Sequence, residues 1–223
     1  MNTETLGDEE RFSKLNAEWV ALRRRDDERL VERWEASLKA MDAENERLRA
    51  AGSWQTGPTD FLGVTRRSRD ELTHSTMLGW LLDSTGRYGL GNRLVVALVS
   101  HVGLDVRADK EFVVRREVAG GTAVADLVLS SGELKVVIEN KLDAIEQPRQ
   151  CQRLADDHPE AQALIFLTPT GRAPATARAE DSWHSVRWSV IATLLEEALR
   201  HSRPAPGRHI AEDYLSTLRR ELP

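Results

Sequence analysis

The sequence contains one cysteine, few aromatic residues and no long apolar run. Cys151 alone permits no internal disulfide, which is typical of a reducing cytoplasm, and it excludes a zinc site made of several cysteines. Since no apolar run approaches the roughly 20 residues that cross a bilayer, we do not expect a membrane protein. The opening residues MNTETLGDEERF are acidic, whereas a secretory signal starts basic and continues apolar, so we expect a cytoplasmic protein.

Excess positive charge is also absent, because the formal net charge is −5. Phosphate affinity comes from lysine and arginine, so this balance argues against a protein that coats nucleic acid with bulk positive charge. An enzyme with a local basic rim remains compatible with it, and the candidate rim residues are Arg66, Arg67, Arg69, Arg115 and Arg116. The length of 223 residues fits one domain with an appended arm.

Residues 1–50 are predicted to form a helical arm. Residues 9–50 contain no glycine or proline, and their apolar positions step by threes and fours, as on one face of a helix. Those positions are Phe12, Leu15, Trp19, Leu22, Val31, Trp34, Leu38 and Met41. The charged segment RRRDDER breaks the register, so the arm is either one long helix or two helices. The apolar stripe either packs on the body of the protein or pairs with a second copy, as in a coiled coil.

A linker and a single domain are predicted after the arm. Residues 51–60, AGSWQTGPTD, are rich in turn-forming residues and favour a linker, so we expect the domain over residues 61–223. Its first helix is expected to start where Ser68 and Glu71 have capping-box spacing, and to end at Gly86. The further expected elements are a helix over 92–102, strands over 111–118, 123–129 and 133–141, a helix over 146–157, a buried strand ALIFLT, and amphipathic helices over 189–201 and 211–222.

Four polar residues interrupt the second and third of these strands: Asp126, and then Glu139, Asn140 and Lys141. Since side chains alternate across a strand, Glu139 and Lys141 share a face and Asn140 points away. An even-numbered turn between the strands sets Asp126 opposite Val137 and diagonal to Glu139. An odd-numbered turn would place the two acids on different faces.

Two carboxylates that converge on a partly buried face repel each other and need a cation between them. Oxygen ligands of this kind suit Mg²⁺ or Mn²⁺, which commonly bind one or two carboxylates together with substrate phosphate. Asp126 and Glu139 are the candidate ligands, and the backbone carbonyl of Asn140 is a third. Lys141 is placed to orient or deprotonate a water and to stabilise charge on a phosphate. The alternative is a surface hairpin in which Glu139 and Lys141 form an ordinary ion pair.

Several segments occur in an order that resembles the PD-(D/E)XK nuclease superfamily. Residues 71–83 read ELTHSTMLGWLLD, residues 136–150 read VVIENKLDAIEQPRQ, and FLTPTG follows further along. They are similar to a bacterial group of that superfamily, and the resemblance covers residues 61 to about 200. It implies an α/β fold with a restriction-endonuclease-like αβββαβ core, in which helices flank a central mixed sheet and the N-terminal helical arm is an addition.

The resemblance also implies metal-dependent hydrolysis of phosphodiester bonds in nucleic acid. In this chain Asp126 and Glu139 would then hold the metal, and Lys141 would act on the water or on the transition state. Glu71 resembles an accessory acid that reaches the metal directly or through water. Its capping-box position gives it an alternative, purely structural role.

Three more residues are candidates for supporting roles. By resemblance Gln150 would face the site and either touch phosphate or order Lys141, and the alternative is a solvated helix glutamine. His74 lies one turn from Glu71 and either supports the site or is an ordinary hydrogen-bonded helix histidine. Arg116 is a candidate contact for substrate or for the residues around the metal.

The chain departs from the pattern of the superfamily at two positions near the motif. Ala125 replaces the proline that often precedes the aspartate, and Cys151 stands where leucine is usual. The three charged motif positions are intact, which favours an active enzyme.

The sequence therefore predicts a nuclease dependent on Mg²⁺ or Mn²⁺, with DNA favoured over RNA and with the arm serving dimerisation or substrate placement. A role in bacterial defence against foreign DNA is an association that the resemblance suggests. The alternative is a non-catalytic, nuclease-like module that binds nucleic acid or a protein partner through the arm, as the negative net charge favours. A third arrangement keeps the chemistry and adds a protein partner that supplies specificity.

Overall fold

A computed structural model describes residues 5–52, 57–107, 109–132 and 134–222. Four parts of the predictions lie outside these ranges: the first four residues of the arm, residues 53–56 of the linker, residue 133 of the third strand, and residues 108 and 223 of the domain. The chain divides into two compact units, residues 1–57 and residues 58–223.

The first unit contains one continuous helix, α1 (Thr5–Ala50), rather than two helices. No glycine or proline interrupts it after its first turns, and pairs on neighbouring turns, such as Arg24 with Glu28 at 3.1 Å, add a small local stabilisation. The eight apolar side chains of the predicted stripe are exposed on α1. The nine-residue step from Leu22 to Val31 sets the two groups of four on different faces of this continuous helix, so they do not form one stripe.

The second unit is an α/β domain with eleven helices and strands in its described residues. Its helices are α2 (Phe61–Val64), α3 (Glu71–Leu82), α4 (Arg93–His101), α5 (Gln150–Asp157), α6 (Trp188–Arg200) and α7 (Arg208–Glu221). Its strands are β1 (Val113–Ala119), β2 (Val124–Ser131), β3 (Leu134–Asn140), β4 (Ala163–Thr168) and β5 (Trp183–Arg187). Over the described ranges, no helix combines the length and the apolar character that a membrane span requires.

The five strands form one mixed sheet in the order β1-β2-β3-β4-β5. The β1–β2 and β2–β3 pairs are antiparallel, and the β3–β4 and β4–β5 pairs are parallel. Parallel neighbours need a crossover connection, which α5 provides between β3 and β4. With α3 ahead of the three-strand meander, this arrangement confirms the predicted αβββαβ order and the mixed sheet flanked by helices.

Helices cover both faces of the sheet. On one face Leu127 and Ile138 belong to the main core, together with apolar residues of α3, α4, α6 and α7. On the other face Val128 and Val137 pack with Leu154 of α5. All residues of β4 are buried, as expected for a strand that is covered on both sides. Polar residues at the end of β3 therefore need partners within the protein.

Helix α3, which was predicted to be the first helix of the domain, follows the short, unpredicted α2 and differs from the prediction at both ends. Asp70 is the N-cap of α3, and its carboxylate accepts a hydrogen bond from Thr73 N at 2.7 Å. The predicted capping box at Ser68 is therefore wrong. The helix also ends before Gly86, with Asp83 as its C-cap.

The structure also differs from the prediction around α5 and β5. The helix expected from residue 146 starts at Gln150, because Arg149 adopts a left-handed conformation with φ of 56°. Strand β5 was not predicted. It is short and only Val186 is buried in it, so it lacks the alternating pattern that identifies a strand.

Candidate active site

The polar residues of β2 and β3 come together at one end of their hairpin. In the observed register Val137 pairs with Val128, so the prediction that set Asp126 opposite Val137 is wrong. The turn lies one residue further along the chain than expected. Continuing the observed ladder by one residue sets Asp126 level with Glu139. The two acids therefore share a face, as alternation predicted, and are direct rather than diagonal neighbours.

Glu139 is buried in β3, with a relative exposure of 1%. Its Oε1 forms an ion pair with Lys141 Nζ at 2.9 Å and accepts a hydrogen bond from Gln150 Nε2 at 2.5 Å. Its other oxygen, Oε2, is buried and has no hydrogen-bond donor within the described part of the chain. A buried carboxylate oxygen without a donor costs free energy unless a cation or a water satisfies it.

Asp126 and Asn140 connect the acids to the rest of the fold. Asp126 Oδ2 accepts a hydrogen bond from Asn140 N at 2.7 Å. The Asn140 amide donates to the Glu71 carbonyl at 3.1 Å and to Ser75 Oγ at 3.2 Å, and its Oδ1 accepts from Trp188 Nε1 at 3.1 Å. These bonds tie the end of β3 to α3 and α6, and so they fix the strand that carries the carboxylates.

Lys141 lies between two acids. Its Nζ is 2.9 Å from Glu139 Oε1 and 3.6 Å from Glu71 Oε2, and its side chain is mostly buried. Glu71 Oε1 accepts hydrogen bonds from the N–H groups of Leu142 at 2.8 Å and Ala144 at 3.1 Å. Glu71 thus binds the segment after β3 instead of capping its own helix. Its contact with a metal stays a prediction.

Burial and neighbouring charges shift the pKa values of this cluster. Burial raises the pKa of Glu139 to about 8, with a further increase from the Asp126 charge and an opposing effect from Lys141. Burial also raises the pKa of Asp126, although the Asn140 N–H and Lys141 act against it. Burial lowers the pKa of Lys141, but the charges of Glu139, Glu71 and Asp126 outweigh this and raise it above its ordinary value. The acids therefore hold protons tightly, and a divalent cation would compete with those protons.

The donor set fits a hard divalent cation, although no finished metal centre is formed. Among the described residues, no three His, Cys, Asp or Glu side chains are grouped closely enough to hold an ion. Lys141 supplies the positive charge beside Glu139. The fit rests on the level position of Asp126 and Glu139 and on the Glu139 oxygen that has no donor. The residues that could hold Mg²⁺ or Mn²⁺ are the predicted ones, namely Asp126, Glu139, Glu71 and the carbonyl of Asn140.

Gln150 is the first residue of α5 and contacts Glu139 directly. Its Nε2 donates to Glu139, and its Oε1 accepts a hydrogen bond from Gln147 N at 3.0 Å. Because Gln150 is 8% exposed, the alternative of a solvated glutamine is excluded. The structure shows it in contact with Glu139 rather than with Lys141, and a contact with phosphate stays a prediction.

Glu146 fixes the segment that precedes α5, and sequence reasoning missed it. Its side chain is 4% exposed and accepts hydrogen bonds from Arg172 Nη1 at 2.6 Å, Ala175 N at 3.0 Å and Thr176 N at 2.9 Å. Burial would raise the pKa of Glu146, but these hydrogen bonds lower it to about 2. Its partners lie more than 25 residues away along the chain, so no local pattern identifies them.

His74 and Arg116 make their hydrogen bonds away from the carboxylates. The buried His74 ring contacts the Tyr214 hydroxyl at 2.8 Å through Nδ1 and donates to the Ser68 carbonyl at 2.9 Å through Nε2. Burial lowers the pKa of His74. These bonds join α3 to α7, which favours the alternative of a hydrogen-bonded helix histidine. Arg116 Nη1 donates to Thr76 Oγ1 at 2.7 Å, and its contact with substrate stays a prediction.

Glu117 of β1 is a second charged residue that sequence reasoning missed. In the β1–β2 ladder Arg116 pairs with Leu127 and Val118 pairs with Ala125, so Glu117 lies level with Asp126. Its φ of 49° is left-handed, and the ladder is interrupted at this residue. Its charge adds to the burial that raises the pKa of Asp126. Only a correct register for both hairpins could have placed Glu117 beside the site.

Comparisons with known proteins agree with this geometry. A family model described as the PD-(D/E)XK nuclease superfamily matches residues 59–216, a range that contains every residue of the cluster. No curated protein and no solved structure gave a significant match. The matched range covers more than half of the chain and includes the complete sheet. The chain therefore belongs to the PD-(D/E)XK nuclease superfamily.

Proposed function

We propose that this chain is a metal-dependent nuclease that hydrolyses phosphodiester bonds of nucleic acid. Membership of the superfamily supports a nuclease-type activity. The observation that carries the finer proposal is the buried Glu139 carboxylate, which has one oxygen without a donor and lies level with Asp126 and beside Lys141. An ordinary surface ion pair does not require such burial, so the catalytic interpretation is favoured over the surface hairpin.

The acids would hold Mg²⁺ or Mn²⁺, with Asp126, Glu139 and the carbonyl of Asn140 as ligands and Glu71 bound directly or through water. When bound, such an ion lowers the pKa of a water and stabilises negative charge on the phosphate. The protein's contribution is to present its oxygen atoms from a fixed strand. The Asn140 amide holds the end of β3 against α3 and α6, and Gln150 orients Glu139.

Lys141 would orient the attacking water and stabilise charge on the phosphate. Burial lowers the pKa of this lysine, but the neighbouring carboxylates raise it above its ordinary value, so the side chain stays a protonated ammonium near neutral pH and has no electron pair to accept a proton. A charged donor beside the acids would bind a non-bridging phosphate oxygen or the water itself. We therefore assign Lys141 to orientation and charge stabilisation rather than to general base catalysis.

The proposed substrate is DNA in preference to RNA, and the proposed setting is cytoplasmic bacterial defence against foreign DNA. Support comes from the similarity of the ELTHSTMLGWLLD and IENK segments to a bacterial group of nucleases. Exposed arginines, such as Arg66, Arg67 and Arg115, are candidate phosphate contacts. A protein partner that supplies DNA specificity is a separate part of the proposal.

A second candidate function is a non-catalytic module that binds nucleic acid or a protein partner through α1. The contact between Lys141 and Glu139 favours it, because this lysine already neutralises part of the cluster. Calorimetry with Mn²⁺ separates the two functions. The nuclease proposal expects stoichiometric binding that Asp126→Asn abolishes, while a binding-only module expects no carboxylate-dependent site.

The activity test incubates the protein with plasmid, linear duplex and single-stranded DNA and with RNA, each with Mg²⁺ or Mn²⁺. We expect metal-dependent cleavage of DNA that Asp126→Ala and Lys141→Ala abolish. Lys135→Ala is the matched control, because Lys135 lies on the same strand and forms an ion pair with Glu160 away from the cluster. Cleavage that survives both active-site substitutions would refute the assignment.

A further inference from the structure

Glu117 of β1 adopts a backbone conformation that its side chain disfavours. Its φ of 49° is left-handed, a region that glycine and asparagine enter far more readily than glutamate. Its carboxylate forms no hydrogen bond or ion pair within the described part of the chain, so no polar contact explains the conformation. Strained residues of this kind persist where the surrounding structure requires them, and they are concentrated at active sites.

Strand β1 changes face at Glu117. Before this residue, Arg116 lies on the α3 side of the sheet, where its Nη1 donates to Thr76 Oγ1 at 2.7 Å. After it, Val118 packs on the other face, in the smaller core that includes Leu154 of α5. Residues two apart on a regular strand lie on the same face, so β1 turns over between Arg116 and Val118.

Strand β2 changes face at the paired position. Leu127 belongs to the main core, whereas Ala125 belongs to the smaller core on the opposite face. The residue between them is Asp126, which lies level with Glu117. The β2–β3 ladder also ends at Leu127, so the main chain of β2 leaves β3 at Asp126. Both strands of the hairpin therefore bend together at the candidate metal ligand.

The bend brings the Asp126 side chain to the end of β3. Since the amides of a strand alternate between its two neighbours, Asn140 N points to β2, and it donates to Asp126 Oδ2 at 2.7 Å instead of to the main chain. The next amide, Lys141 N, donates to Leu167 O of β4 at 2.9 Å. The Asp126 carboxylate thus takes the place of a main-chain acceptor.

The tip of the hairpin is held on α5. The Asp157 carboxylate accepts hydrogen bonds from Thr122 N and Ala123 N, each at 2.8 Å. Arg153 Nη1 donates to Thr122 O at 3.1 Å. Because one end of the hairpin lies over α3 and the other lies on α5, the hairpin has to bend between them, and Glu117 is the residue that bends.

We propose that Glu117 is a positioning residue, whose left-handed backbone bends the β1–β2 hairpin so that the Asp126 carboxylate lies at the end of β3. This inference deepens the proposed function and rests on it for the role of Asp126 in metal binding. The role belongs to the backbone of Glu117 and is separate from the charge of its side chain. Glycine and asparagine at this position should therefore preserve the place of Asp126, and a β-branched residue should not.

Hydrogen exchange in metal-free protein, followed by NMR, tests the place of Asp126. We expect the Asn140 amide to exchange about tenfold faster in Glu117→Val than in the parent, and at the parent rate in Glu117→Gly and Glu117→Asn. The Lys141 amide is the internal control, because its acceptor is on β4. Unchanged exchange of the Asn140 amide in Glu117→Val, or an equal acceleration of both amides, overturns the proposal.

Thermal unfolding tests the strain with a variant that removes it. Glu117→Gly should raise the melting temperature by about 2–4 °C, because glycine adopts a positive φ without a steric penalty. Ala119→Val is the matched control for valine at an exposed position of β1, and it should leave the exchange of the Asn140 amide unchanged. A lowered melting temperature of Glu117→Gly together with faster Asn140 exchange would show that the side chain holds the bend, and would overturn the proposal.

Calorimetry with Mn²⁺ connects the bend to the metal. Glu117→Gln and Glu117→Val both remove the charge, so their comparison isolates the backbone. We expect Glu117→Val to bind Mn²⁺ about tenfold more weakly than Glu117→Gln, and Glu117→Gly to bind like Glu117→Gln. Equal affinities of the valine and glutamine variants overturn the proposal. A parent that binds no Mn²⁺ refutes the proposed function instead, and the exchange of the Asn140 amide then decides the inference by itself.

Discussion

Replacing Glu146 by glutamine should weaken the fold strongly at neutral pH and roughly half as much at pH 3. The hydrogen bonds from Arg172, Ala175 N and Thr176 lower the pKa of this carboxyl from its ordinary 4.5 to about 2. A lowered pKa in the folded state stabilises that state above the unfolded pKa, and the stabilisation disappears as pH falls from about 4.5 to about 2. At 1.36 kcal/mol for each pKa unit, Glu146 contributes about 3 kcal/mol at pH 7.

The measurement is urea unfolding of the parent and of Glu146→Gln from pH 7 down to pH 3, followed by circular dichroism. We expect a difference in unfolding free energy near 3 kcal/mol at pH 7, which shrinks steadily below about pH 4.5. Glu180→Gln is the matched control, because Glu180 is 74% exposed and lies 3.8 Å from its arginine partner, where little stabilisation is expected. A difference that does not change with pH, or one as small as that of the control, would refute the reasoning.

Three further predictions concern the carboxylate cluster. In metal-free protein, Glu139→Gln should raise the unfolding free energy, and this gain should grow from about pH 4.5 to about pH 8, because the raised pKa of Glu139 makes its ionisation unfavourable in the folded state. Chemical denaturation in the presence of a chelator measures the gain. A gain that is largest in acid would contradict the prediction. Asn140→Ala should lower the free energy of unfolding by about 3 kcal/mol, because it removes three hydrogen bonds and leaves the Trp188 N–H without its partner. Thermal melts measure this loss. A stability equal to that of the parent within error would show that these bonds contribute little. Glu117→Gln should weaken Mn²⁺ binding about threefold to tenfold in calorimetry, because one negative charge near Asp126 is lost. An unchanged affinity would show that the charge of Glu117 does not act on the site.

Elements with strong local patterns could be predicted from sequence. The buried strand ALIFLT and the helix over residues 92–102 follow from continuous apolar runs and from helical periodicity, and both are present. The shared face of Asp126 and Glu139 follows from strand alternation and from the even number of residues in the turn. The structure brings Asp126, Glu139 and Lys141 together as the strand pattern predicted, and their catalytic role stays a prediction.

Features that depend on backbone detail or on distant partners could not be predicted. The exact turn between β2 and β3 shifts the register by two residues, which changes a diagonal pair into a direct one. The left-handed conformations of Glu117 and Arg149 are unusual for these residue types, so no propensity indicates them. The hydrogen bond between Glu146 and Arg172 could not be predicted from the sequence either, since only the tertiary fold brings these two residues together.

The hydrogen bonds behind the sheet determine how much of the domain is needed to hold the carboxylate cluster in place. Trp188 begins α6 and bonds Asn140, and Tyr214 in α7 bonds His74, so two helices beyond the αβββαβ minimum support the strand and the helix that carry the acids. A fragment that stops after β4 would keep every acid of the motif but would lose the supporting hydrogen bonds from α6 and α7. The smallest fragment that keeps these hydrogen bonds therefore extends through α7, and the motif residues placed alone on another scaffold would lack the contacts that position them.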